Sequence, residues 1–79
     1  MLSEAPESRS LSINARNENG EVVLASHGNY APRHISISFD LLDREYCLAH
    51  RSDVEAAISA FISRFNELLA EAELPQVGS

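Results

Sequence analysis

Cysteine occurs once in this chain, at Cys47, and lysine and tryptophan do not occur at all. One thiol excludes an internal disulfide, so a 79-residue domain must be held by packing, by a metal or by a partner chain. The lack of lysine leaves six arginines against twelve carboxylates, a net charge of −6. No basic stripe is present to gain affinity by counterion release, which argues against direct nucleic-acid binding. No apolar run approaches the roughly 20 residues of a membrane-spanning helix. The beginning, MLSEAPESRS, has neither a basic start nor an apolar stretch, so the expectation is a cytoplasmic protein without a membrane. Glycine is scarce too. Gly20, Gly28 and Gly78 are scattered and none opens a helix, which excludes a phosphate-cradling loop.

What the chain does contain is pattern. Residues 1–9 show no periodicity and read as a disordered tail. In SLSINARNENGEVVLAS, Leu11, Ile13 and Ala15 alternate with polar neighbours, Val22 and Leu24 do so past the turn, and Asn19-Gly20 suits a hairpin. A two-residue Asn-Gly turn sets Glu18 opposite Glu21. A four-residue loop, 17–20, sets Arg16 there instead, the more favourable pair. HGNYAPR, 27–33, reads as a connection because Gly28 and Pro32 interrupt a ladder. HISISFDLL then alternates strictly, with Ile35, Ile37, Phe39 and Leu41 on one face. A turn near Asp43 returns the chain into YCLAH, which predicts a fourth strand with Tyr46 and Leu48 facing the core and Cys47 facing away.

From Asp53 onward the period changes. Val54, Ala57, Ile58, Phe61, Ile62, Phe65, Leu68, Leu69 and Ala72 recur at three and four, the mark of an amphipathic helix. Ser52 and Glu55 have the spacing of a capping box, and Pro75 follows the helix end. The expected fold is therefore α+β: a four-stranded antiparallel sheet of two hairpins with one C-terminal amphipathic helix packed on one face. Its strands cover about 10–17, 21–26, 34–42 and 45–50 and its helix 53–74, within a single domain of residues 10–74 followed by a tail, 75–79.

Cys47 and His50 stand three apart, a spacing that zinc sites and thiol catalysts both use. Structural zinc takes four ligands with thiolates in pairs, and a nucleophilic cysteine needs a base, an orienting group and a pocket. Neither set is assembled by this sequence. No catalytic, cofactor-binding or metal-ligating residue is assigned, and an enzyme is not expected. The outward face of the sheet carries no aromatic side chains on which RNA bases could stack.

Two features point instead to protein binding. Tyr30 and Arg33 in the 27–33 connection are residue types favoured at interface hot spots. Glu67, Glu71 and Glu73 gather at the helix C-terminus, where the dipole prefers cations; a partner with a basic surface would make them an asset. Partner-binding residues are therefore expected at Tyr30, Arg33, Glu67, Glu71 and Glu73. The function expected is that of a small acidic, non-catalytic protein-binding module, an inhibitor or regulator of the phage or mobile-element type, such as an anti-defence protein acting on nucleic-acid machinery. A homodimeric structural or assembly subunit is the alternative, and a small enzyme or metal module on Cys47 and His50 is a further one. The apolar content of the helix also leads us to expect a homodimer.

Overall fold

The computed structural model describes residues 9–31 and 33–77. Three strands, β1 (Arg9–Arg16), β2 (Val22–Ala31) and β3 (His34–Leu41), form an antiparallel meander in the order β1-β2-β3. A short helix α1 (Arg44–Ala49) and a long helix α2 (Arg51–Glu71) follow. The α+β class and the C-terminal helix agree with the sequence expectation. The tail expected at 1–9 lies, apart from Arg9, outside the described residues. No described helix is long and apolar enough to cross a membrane.

The fourth strand and the second hairpin are replaced by α1. Asp43 stops the sheet and starts the helix: its Oδ1 accepts the Tyr46 N–H at 3.1 Å, which satisfies one of the donors a helix N-terminus leaves open. The exchange of period reverses the expected orientations. Cys47 turns inward to 3% exposure while Leu48 is 53% exposed. α2 likewise begins without the capping box. Its N-cap is His50, with no side-chain bond, so Ser52 already lies in the first turn. Glu55 instead approaches Arg51 at 3.8 Å, an exposed i,i+4 pair worth a few tenths of a kcal/mol.

The first hairpin follows one of the two expected registers and departs from both at its end. Through most of β1 the pairing is that of the two-residue turn, with Ile13 opposite Ser26 and Ala15 opposite Leu24. A bulge then puts Arg16 opposite Val22, leaving Val23 as the extra residue. The turn itself is organised by Asn17, whose Oδ1 accepts the N–H groups of Asn19 and Glu21, each at 2.9 Å. Gly20 closes it at φ 85°, the left-handed conformation such three-residue loops require.

β2 runs on through the expected 27–33 connection to Ala31, so His27, Gly28, Asn29 and Tyr30 belong to the central strand. Gly28 does not break it; it makes room. A Cβ there would lie 3.0 Å from two atoms of the Phe65 ring and 3.2 Å from Phe61. The two phenylalanine rings stack with centroids 6.0 Å apart, and Tyr30 tilts against Phe65. Tyr30, Phe61, Phe65 and Leu69 form the buried core, with Ile35, Ile37, Phe39 and Leu11 packed around it.

α2 ends in a Schellman motif. The Leu74 N–H donates to the Leu69 carbonyl at 2.9 Å and the Glu73 N–H to Ala70 at 3.0 Å. Glu73 supplies the left-handed residue at φ 61°, a position that glycine occupies at lower cost. The chain then folds back along the helix. Asn66 grips the backbone of Val77 from both sides, donating to its carbonyl at 2.8 Å and accepting its N–H at 2.7 Å. Val77 and Leu74 thereby join the core.

Candidate functional site

Alternation along the strands sorts their side chains between two faces. The face away from α2 is polar: Ser12 lies opposite His27, which lies opposite Ser38, and Asn14 and Asp40 flank Ala25. Ser12 Oγ is 3.0 Å from His27 Nδ1, and His27 Nε2 is 3.9 Å from Asp40 Oδ2. A serine, a histidine and an aspartate thus meet on three adjacent strands. The histidine and aspartate side chains are 48% and 63% exposed, and the second contact exceeds hydrogen-bond length. The backbone amides of the central strand are engaged with neighbours on both sides, so β2 offers no free N–H beside His27 to stabilise an oxyanion. Ser36 completes the row by donating to Asn29 Oδ1 at 2.7 Å.

Cys47 and His50 turn to different partners. The Cys47 thiol donates to the Val23 carbonyl at 3.4 Å, and burial, with the Asp43 charge second, pushes its pKa up. That is the opposite of the activation a nucleophilic thiolate needs. His50 stacks on Tyr46 with ring centroids 4.0 Å apart, and its Nδ1 sits 2.9 Å from the Tyr46 carbonyl. The Tyr46 hydroxyl in turn donates to Glu18 at 3.3 Å, tying α1 to the first hairpin turn. Among the described residues no group of three or more histidine, cysteine or acidic side chains is placed to hold a metal.

Of the residues expected at a partner surface, Tyr30 is 4% exposed and packed on Phe65, so its ring is not on display. Arg33 is exposed at the β2–β3 turn, and Glu67, Glu71 and Glu73 are exposed along the end of α2. The structure does not bring these together into one cluster. It reveals instead an apolar corner where β3 gives way to α1. Leu41, Leu42 and Leu48 are 47%, 60% and 53% exposed there. Leu41 and Leu48 border a groove of about 180 Å³ with Cys47 and Val54 inside it and Arg51 and Glu55 at its rim. Sequence reasoning missed this corner by placing Leu48 in the core. The signal that finds it is Asp43, three residues before Tyr46, a capping position that turns YCLAH from a strand into a helix.

Compared with protein families, curated proteins and solved structures, the chain matches none.

Proposed function

We propose that the chain is a non-catalytic protein-binding module, an inhibitor or regulator that acts by covering a surface of another protein. The observation that carries this reading is the leucine corner. Three large apolar side chains are left in water at one place, beside a groove of apolar lining, and such patches mark interaction sites on small soluble domains. The partner that fits presents an apolar ridge in basic surroundings, because the chain as a whole carries a net charge of −6. The acidic end of α2, Glu67, Glu71 and Glu73, adds long-range attraction for the same kind of partner. The open placement of Ser12, His27 and Asp40, and the buried, protonated Cys47, support a non-catalytic role over a hydrolase or thiol enzyme.

The test is affinity capture from the source cell with the wild type and a Leu42→Glu/Leu48→Glu variant side by side, followed by a binding isotherm with whatever protein is retained. The reading expects one partner whose affinity falls at least tenfold in the variant, the loss of two exposed apolar contacts at an interface centre. Equal affinity in wild type and variant would overturn it.

A further inference from the structure

The free edge of β3 is the second surface left unused, and it has a direction. Ala31 pairs with His34 across a two-residue turn, and a closing pair of this kind exchanges both backbone bonds. Ser36, Ser38 and Asp40 follow in the same phase, and the Leu42 N–H, which donates to the Val23 carbonyl at 2.9 Å, continues it. The N–H and C=O groups of Ile35, Ile37, Phe39 and Leu41 therefore point away from β2. No described strand pairs with them. The strand that offers them carries none of the lysines, prolines or bulges with which edges are usually blunted.

Charge along β3 decides what fits. Arg33 and His34 stand at one end of the strand, and Asp40, Asp43 and Glu45 outnumber Arg44 at the other. An antiparallel copy of the same strand brings the basic end of each chain to the acidic end of the other, twice over. β1, the other edge, is the contrary case. It has Arg9 and Arg16 at its two ends, so antiparallel self-pairing there opposes like charges, and the bulge at Val23 distorts its last pair.

The geometry points to a second copy of this chain as the occupant of the β3 edge, joined antiparallel about a two-fold axis at Ser38 to make a continuous six-stranded sheet. In this register Ile35 lies opposite Leu41 of the second copy and Ile37 opposite its Phe39, so the apolar residues of β3 meet one another and the half-exposed Leu41 is covered. Ser36 lies opposite Asp40 of the second copy, a polar pair on the outward face. Centres at Ile37 and at Phe39 also keep the faces matched, but the first sets Leu41 opposite Arg33 and the second sets Ile35 opposite Asp43, so each leaves an apolar residue facing a charge. The pairing shares Leu41 with the leucine corner but not Leu42 and Leu48, and a cross-link at Ser38, which belongs to neither the corner nor its groove, tests it separately from the proposed function.

Ser38 supplies the test. It is exposed, and at the two-fold axis it faces its own copy in a pair whose bonds point elsewhere, with Cα atoms about 4.5 Å apart. That separation is inside the range a disulfide spans. Under mild oxidation Ser38→Cys is expected to convert most of the protein to a cross-linked dimer. Ser63→Cys, exposed on α2, and Ser36→Cys, two residues off the axis, are expected to give only traces. Leu41→Lys, at a half-exposed position, is expected to halve the sedimenting mass of the uncross-linked protein at micromolar concentration while leaving its circular dichroism unchanged. A wild type that sediments as a monomer at that concentration, or a Ser38→Cys yield no greater than that of Ser63→Cys, overturns the proposal. Preferential cross-linking through Ser36→Cys overturns the register.

Discussion

The two ends of α2 are packed to different standards. At the C-terminal end Phe61, Phe65 and Leu69 are at most 1% exposed, the aromatic rings interlock, and Leu74 and Val77 close over them. At the N-terminal end Val54, Ala57 and Ile58 are only partly buried. Two hollows, of about 240 and 180 Å³, flank the helix there, and the leucine corner lies beside the smaller one. One half of the helix serves as the core of the domain. The other half is only partly buried and leaves surface beside it, and that is where the binding reading is placed.

The sharpest way to break this contrast is to truncate one apolar side chain at the C-terminal end of α2 and one on α1, beside its N-terminal end. Phe65→Ala is expected to cost about 3–5 kcal/mol, a large part of what a domain of this size has, and to leave the chain largely unfolded by far-ultraviolet circular dichroism. Leu48→Ala is expected to stay within about 0.5 kcal/mol of the wild type by urea denaturation. Equal losses would show that the N-terminal end is as essential as the C-terminal one. An effect between these two is expected from Gly28→Ala. The new methyl group meets Phe65 at 3.0 Å, and such overpacking costs about 1–3 kcal/mol; the same midpoint shift should shrink when Phe65→Leu is added.

The smallest effect belongs to the loosely packed end and depends on pH. The buried Cys47 thiol has its pKa raised above the ordinary value of 9.0. The folded protein therefore holds this proton after the unfolded chain has lost it. Stability is unaffected below that ordinary value and declines as the pH rises beyond it. A Cys47→Ala variant should lack this part of the alkaline decline, measured as the urea midpoint against pH. At neutral pH the native thiol should alkylate far more slowly than the urea-unfolded one.

Much of this architecture was legible because it repeats. Ile35, Ile37, Phe39 and Leu41 announce a strand by strict alternation, and the apolar residues from Val54 to Leu69 announce a helix by their spacing. What escaped reading rests on single residues whose meaning lies elsewhere in the chain. Gly28 looks like a break until Phe61 and Phe65 are placed across from it, and His27 stays hidden with it, since an unbroken β2 is what sets His27 beside Ser12 and Asp40. YCLAH is too short for alternation and helical spacing to be told apart, and only the Asp43 cap decides. The sequence spacing of Cys47 and His50 suggested one site, whereas one turn of helix gives each a partner of its own. Tyr30 has a hot-spot composition, yet a strand position facing α2 makes it core.

The Val23 carbonyl, finally, is a junction. It accepts the N–H of Leu42 at 2.9 Å, that of Asp43 at 3.4 Å and the Cys47 thiol at 3.4 Å. A helix of six residues does not persist on its own in water, so α1 is expected to depend on β2 for this oxygen. The same Val23 is the extra residue of the bulge in the β1–β2 ladder, so the bulge, the β3 end and the helix start meet at one residue. Amide protons of α1 should accordingly exchange with solvent no more slowly than those of β2, and any change that straightens the bulge should melt α1 while the strands persist.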